Sequence, residues 1–382
     1  MSNPTIDACL IVRNEKSGIK RCLIPILKEK AIRNVYVHDT GSTDGTADIL
    51  QQLASKHEGR LFVERVEPIM WCVESIDGFD HIDFSANRNR VIERSDADWI
   101  FIIDGDEEFI RSRATSLFDC IKLAEEHGEG VVGIPVHIEV AGGSGKLGHT
   151  QVDPQLRLFK RTEYKYRSPI HNQLQPVGVD DWVSIPAHIP DDCPHLRTSY
   201  KGKMAHRKAR SMAAVLRWHA DAIGSGDNKE AARSASYAAV FTFQDGNFAA
   251  AEAYCRLFVQ HADEVLERRR GPAVYPLLIE CTLRRRALDE AYALVKHAKS
   301  RFPLDATLHR MHVSFSLADW VMATELGTQQ QDGTARIHPE QIKKPLNAFI
   351  ERAELHWVPL IYAIMRENFE KHLTKEEEVI DV

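Results

Sequence analysis

Three short apolar runs in the first hundred or so residues each stop at a polar cluster, and this pattern constrains the fold more than any other feature. Ile6–Val12 runs into Arg13-Asn14-Glu15, Asn34–His38 into Asp39-Thr40-Gly41-Ser42, and Asp98–Ile103 into Asp104-Gly105-Asp106-Glu107. Helix-like stretches lie between them. Ile19, Cys22, Leu23, Ile26 and Leu27 recur at helical spacing, Thr43–His57 carries Ile49, Leu50 and Leu53, and Ser85–Ser95 reads as a third helix. A fourth short strand is expected at Arg60–Val66, then an irregular segment over Glu67–Asp83. Strands alternating with amphipathic helices mean a parallel sheet with crossovers. In open α/β sheets ligands sit at the carboxyl ends of the strands. The three polar clusters are therefore expected to line one binding crevice.

After Gly130 the texture changes. Short β-like pieces at Val131–Val140, Leu156–Phe159 and His171–Val177, separated by Gly- and Pro-bearing loops, predict a mixed or antiparallel extension. From about Ser199 onward the composition is helical. Gln244-Asp-Gly-Asn-Phe248-Ala-Ala-Ala251 resembles Arg284-Arg-Arg-Ala-Leu288-Asp-Glu-Ala291 at a spacing of about 40 residues, and Pro303 closes one unit, as in tetratricopeptide-type helical pairs. With 382 residues, the chain is expected to form two domains, 1–195 α/β and 196–382 all-α.

Composition removes several classes. Lys+Arg of 49 against Asp+Glu of 55 gives −6, which excludes a globally basic nucleic-acid coat but not a local patch. No run reaches the roughly 18 apolar residues of a membrane span, and the N-terminus lacks a secretory pattern, so a cytoplasmic location is expected. Seven cysteines without a C-x-x-C pair speak against a disulfide scaffold or a zinc site. No G-x-G-x-x-G follows the first strand and no P-loop is present; Gly142-Gly-Ser-Gly-Lys146 lacks the spacing and reads as a loop.

The chemistry-bearing residues fall into three groups. Asp104 and Asp106, two apart after a buried strand, offer hard oxygens suited to Mg²⁺ or Mn²⁺ shared with a diphosphate. Asp39-Thr-Gly-Ser42-Thr-Asp-Gly-Thr46 turns from a strand into a helix whose first amides, with Ser42 or Thr43, can cradle an anionic or ribosyl group; the plainer role is N-capping. Arg88, in Phe84-Ser-Ala-Asn-Arg88-Asn89, can clamp a phosphate with its planar fork, or lie in solvent.

Taken together and in this order, these elements resemble family 2 glycosyltransferases, especially bacterial members with Asp-Thr-Gly-Ser-Thr-Asp-Gly-Thr and a helical-repeat tail, such as the peptide S-glycosyltransferases of glycocin biosynthesis. Lipopolysaccharide core glucosyltransferases share much of the pattern. The resemblance spans roughly residues 5–175. It implies a GT-A fold, a nucleotide-sugar donor (a UDP-sugar first, a GDP-sugar second), a hexose transferred with inversion, and a divalent metal. It further implies donor contacts from Arg13, Asn14, Glu15 and Asp39, with Asp104 near the ribose, Arg88 near the donor and Asp106 on the metal.

The acceptor's base is less marked. Asp153, in His149-Thr-Gln-Val-Asp-Pro-Gln, and Glu139 are the candidates, Asp153 favoured by an expected loop setting; Glu107 and Glu108 lie close in sequence. Arg157-Leu-Phe-Lys160 and Tyr166-Arg-Ser-Pro-Ile-His171-Asn172 resemble further family elements, which places His171 on the metal or the diphosphate, while Asn172 stands where relatives often carry Glu. A basic run, Arg197–Arg217, and the triplets 268–270 and 284–286 either form solvated faces or meet a polyanion. The acceptor is expected to be a peptide or protein, then a hydroxylated base of DNA, then a saccharide. A non-catalytic scaffold that only binds is the alternative class.

Overall fold

The first strand shows why a sheet forms. Ile6, Ala8 and Leu10 join one apolar cluster while Cys9 and Ile11 join the opposite one, so the strand is covered on both faces. Such a strand reads as a continuous apolar run rather than an alternation. The computed structural model describes residues 3–76, 79–140, 149–179, 183, 185, 188–199, 204–330, 347, 350–351 and 353–368. They divide into two compact units, Met1–Ala214 and Val215–Val382.

The first unit is mixed α/β. In chain order its elements are β1 (Ile6–Val12), α1 (Ile19–Lys28), β2 (Ile32–Asp39), α2 (Thr46–Lys56), β3 (Leu61–Arg65), β4 (Met70–Ile76), β5 (Phe79–Ile82), α3 (Phe84–Ile92), β6 (Trp99–Ile102), β7 (Glu108–Ile110), α4 (Leu117–Glu126), β8 (Val131–Val140), β9 (His149–Lys160), β10 (Tyr164–Arg167), β11 (Gln173–Pro176) and β12 (His195–Ser199). Eight strands form one sheet in the order β3-β2-β1-β6-β9-β8-β12-β7. Only β9 and β7 oppose the direction of the other six. Helices α1, α2 and α4 cover one face through Ile19, Leu50 and Ile121; α3 and the β10–β11 hairpin cover the other through Val91, Tyr166 and Leu174.

Four features depart from the sequence expectation. The irregular segment contains the β4–β5 hairpin, whose register shifts twice and so shows no period-2 pattern. Asp153 lies within β9, opposite Val136, rather than in a loop. The stretch after Glu107 holds β7 and α4, the latter begun by a Ser116–Asp119 capping box. Finally, the α/β unit does not stop at residue 195: β12 pairs in parallel with β8 and antiparallel with β7, hidden inside what read as a basic run. The Gly142–Lys146 loop lies outside the described residues.

The second unit is helical: α5 (Met204–Ser225, which enters it from the first), α6 (Asn228–Gln244), α7 (Phe248–His261), α8 (Glu264–Arg284), α9 (Leu288–Arg301), α10 (Ala306–Gln330) and a segment over 358–368. The turns after α6 and α8 each carry one left-handed residue, Gly246 and Arg286, and Ala251 and Ala291 are fully buried at matching places on the following helices.

At the amino ends of the strands one buried carboxylate gathers several chain segments. Asp7 accepts two hydrogen bonds from Arg33 (3.0 and 2.7 Å), one from the Asn34 N–H (3.0 Å) and one from the Ser95 hydroxyl (2.6 Å). Removing one member of such a group strands the others. Asp7→Ala should cost about 2–3 kcal/mol in urea unfolding; an unchanged midpoint would show that the cluster holds nothing.

Candidate functional site

The carboxyl ends of β2, β1 and β6 lie side by side, so the polar clusters that follow them share one edge of the sheet. With strands about 4.8 Å apart, the ends of β2 and β6 stand roughly 10 Å from each other across β1.

The β2 end is built from hydrogen bonds within the loop. Asn14 adopts a left-handed φ of 59°, its N–H donates to Ser42 Oγ (3.0 Å), and its side-chain oxygen accepts from the Thr43 N–H (2.8 Å). The Thr40 N–H donates to the Val12 carbonyl (2.9 Å) and the Ser42 N–H to Asp39 Oδ1 (2.8 Å). Asn14 and Ser42, expected to touch a ligand, are thus brought together but hold the loop's shape. Asp39 differs. It is 1% exposed, and its Oδ2 has no hydrogen-bond partner among the described residues. A buried carboxylate oxygen without a donor is costly, so this atom is the site's clearest request for a ligand donor. His38, beside it in sequence, is also buried, and burial lowers its basicity.

The β6 end is held by charge. Asp104 accepts from Arg88 on α3 (2.5 Å) and from Arg157 on β9 (3.0 Å). Arg157 also donates to Glu107 (2.7 Å), whose other oxygen accepts the Asp104 N–H (2.8 Å). Burial alone would raise the Asp104 carboxyl, but the two guanidiniums outweigh it and hold it at about 2. Glu107 moves the other way: burial pushes it up, against Arg157, and the Asp104 and Asp106 carboxylates add to the push. The Nε of Arg88 and the Nε and Nη1 of Arg157 are buried without acceptors among the described residues.

Neighbouring segments fix this turn. Cys22 Sγ donates to the Asp104 carbonyl (3.4 Å), and Arg21 to the Asp106 carbonyl (3.2 Å). Glycine is required where the loops cross: a Cβ on Gly105 would stand 3.0 Å from both Glu15 Cγ and Val12 Cγ1, and one on Gly18 would stand 3.0 Å from the Gly105 carbonyl. Glu15 contributes its backbone carbonyl, which accepts from Gly18 (2.9 Å) and Ile19 (2.8 Å) to start α1; Arg13 is half-buried at the same edge. On α3, Asn89 clamps Tyr166 through both backbone atoms (2.9 Å each), and the Arg88 guanidinium lies 5.1 Å from the Tyr166 ring centre. The loop after β10 is tied to α3 by Ser85 to the Ser168 carbonyl and by Phe84 N–H to the Pro169 carbonyl. It carries His171, exposed and in a left-handed conformation.

Other expected residues lie on neighbouring strands. Asp153 is exposed and accepts from Gln155 (3.0 Å); β9 carries it roughly 16 Å past the level of Phe101 in the direction β6 exits the sheet. Glu139 is on β8 with its backbone opposite Thr150 of β9, and its side chain lies outside the described residues. Glu108 pairs with Arg197 of β12 (2.7 Å). Arg157 and Glu107 form the site's densest charge pairing, yet they lie far apart in sequence. The available signal was a charge between Leu156 and Leu158.

For a divalent cation the residues give a partial fit. Among the described residues no three His, Cys, Asp or Glu groups converge on one point. Asp104 lies against two arginines, and Asp106 carries the acidic pair's other carboxylate, a hard-oxygen group in keeping with a cation carried by a diphosphate.

No family model matches the chain. It is similar to the SPbeta prophage-derived glycosyltransferase SunS of Bacillus subtilis (strain 168) and to glycosyltransferase SunS of Bacillus phage SPbeta, each 25% identical over 174 residues. That match covers 44% of this chain and 35% of the relative, so the chain spans about a third of the length of these curated relatives. Among solved structures, S. aureus TarS aligns over 81% of this chain and 55% of that one at 11% identity and a TM-score of 0.36. TarS 1–349 in complex with UDP aligns over 82% and 91% at 12% identity and a TM-score of 0.36. No described helix is long and apolar enough to cross a membrane.

Asp104 gives a pH test. Its folded value of about 2 lies below the ordinary 3.8, so its contribution is present above pH 4 and lost as pH falls through 2. Discounted for a side chain 33% exposed, Asp104→Asn should cost about 1–2 kcal/mol at pH 7. That difference from wild type should shrink between pH 4 and pH 2 in urea unfolding; a constant difference would contradict the ion-pair assignment.

Proposed function

We propose that this chain is a family 2 glycosyltransferase of GT-A fold that moves a hexose from a UDP-sugar to a peptide or protein acceptor with inversion. The observation that carries the reading is the buried, unpartnered Oδ2 of Asp39 at the strand edge it shares with Asp104 and Asp106. The sequence similarity to proteins named glycosyltransferase supports it.

In this reading Asp39 accepts an N–H or O–H of the nucleoside, and the Asn14–Ser42 loop shapes the cradle around it. Arg88, with its Nε unmatched, faces the donor while its Nη2 holds Asp104. Mn²⁺ or Mg²⁺ would be held by Asp106 together with diphosphate oxygens, His171 being a second candidate ligand, and would offset charge on the departing nucleoside diphosphate. Asp153 takes the proton from the acceptor's O–H or S–H as that atom bonds to the anomeric carbon and the bond to the diphosphate breaks; Glu139 is the alternative base. The tetratricopeptide-like helical pairs of the second unit would present the acceptor. A DNA acceptor loses support because Arg284, Arg285 and Arg286 are bound by Glu280, Glu290 and Glu367 (2.7, 2.6 and 2.5 Å) rather than displayed as an open cationic face.

Two substitutions test this by calorimetry with UDP. Asp39→Ala should weaken binding by about tenfold or more, through loss of a charge-assisted hydrogen bond. Asp106→Asn should leave metal-free UDP affinity near wild type and abolish any strengthening by Mn²⁺. UDP binding indifferent to both changes would overturn the assignment.

A further inference from the structure

Glu107 and Arg157 are buried charges at the strand-end edge to which the donor and acceptor chemistry gives no part. The turn where they meet is closed twice over. The Glu107 N–H donates to the Asp104 carbonyl (2.9 Å), and the Asp104 N–H donates to Glu107 Oε2 (2.8 Å). Gly105 and Asp106 are thereby left at the corners of a four-residue turn. From β9 a single nitrogen of Arg157, Nη2, donates to Glu107 Oε1 (2.7 Å) and to Asp104 Oδ2 (3.0 Å), so one side chain braces both ends of the turn. Glu107 and Arg157 are each 4% exposed.

Stability does not account for this arrangement. A buried ion pair seldom holds a fold better than apolar side chains of like volume, and Ile103 and Phe109, on either side of the turn, are already buried in the apolar cluster of the sheet. Arg157 is moreover kept at a cost, since its Nε and Nη1 are buried without acceptors among the described residues. What the pairing adds over apolar packing is direction. Charge-assisted hydrogen bonds are short and geometrically specific, and the closed turn carries Asp106 between its two tied ends. From α1 the same turn is held by Cys22 on the Asp104 carbonyl and Arg21 on the Asp106 carbonyl.

We propose that Arg157, acting through Glu107, is a positioning residue: it holds the Asp104–Glu107 turn in the form that sets the Asp106 carboxylate toward a divalent cation carried by the donor's diphosphate. This role rests on the glycosyltransferase reading of the same edge. Groups behind a metal ligand orient it, and their loss lowers metal affinity although the ligand itself is kept. In this role Arg157 touches neither the nucleoside nor the cation. Asp39, at the end of β2, meets the nucleoside whether or not the brace is intact. The brace therefore contributes to the metal-dependent part of donor binding alone.

The test is titration calorimetry of the full chain with UDP, without metal and with Mn²⁺, read as the factor by which Mn²⁺ strengthens binding. Glu107→Gln keeps the side chain's shape but gives it an amide N–H₂, so it cannot accept from both Arg157 and the Asp104 N–H; it should cut that factor several-fold. Arg157→Gln should cut it about tenfold, and Arg157→Lys, which keeps a buried cation, should restore part of it. Metal-free UDP affinity should stay near wild type in all three. If Arg157→Gln does not fold, the nearly isosteric Glu107→Gln decides. A wild-type factor in folded Glu107→Gln, or equal weakening of UDP with and without Mn²⁺, overturns the positioning role while Asp106→Asn still abolishes the factor. Wild-type protein that binds no UDP, or binds it no better with Mn²⁺, overturns the reading of the site and this role with it.

Discussion

The α/β unit depends on a carboxylate held from two sides. Asp104, at the end of a buried strand, would be unstable there as a lone charge; Arg88 from α3 and Arg157 from β9 make it tolerable. This pairing couples a helix on one face of the sheet to the one internal strand that runs backward. It also fixes the turn on which Asp106 and Glu107 stand. Arg157 is buried where it reaches both Asp104 and Glu107, which explains a charged residue between two leucines.

Much of this was legible in the sequence, for a physical reason. β1, β2 and β6 are buried on both faces, so they appear as unbroken apolar runs with abrupt polar ends. The amphipathic helices α1 and α2 are equally plain. What escaped detection is held by pairing rather than by pattern. β7 has three residues, the β4–β5 hairpin shifts register, and β12 carries Arg197 and His195 between β8 and β7, where only its hydrogen bonds to them identify a strand. The end of the α/β unit was misplaced for the same cause.

The candidate site divides similarly. Asp39, Asp104 and Arg88 could be picked out because each is a polar residue set at the end or on the face of an apolar element. Which residues pair could not be read, because Arg88 to Asp104 and Arg157 to Glu107 are long-range contacts that no local spacing encodes. Asn14 and Ser42 stand at the expected place and hydrogen-bond within the loop. They bond to each other's loop, with Asn14 in a left-handed conformation, beside Asp39, one of whose oxygens has no partner among the described residues. In the helical unit, arginine triplets that look alike in sequence separate once folded. The one at 284–286 is paired with Glu280, Glu290 and Glu367, while in the other Arg268 pairs with Glu264 and Arg270 stacks over Tyr237.

The proposed function has the edge formed by β1, β2 and β6 bind a nucleotide sugar. The most direct measurement is a panel of UDP-, GDP- and TDP-sugars, each with and without Mn²⁺, following nucleotide release and the melting temperature of the full chain. Metal-dependent stabilisation and slow hydrolysis with a UDP-sugar are the expected result. A panel in which no nucleotide sugar shifts melting or is hydrolysed would contradict it.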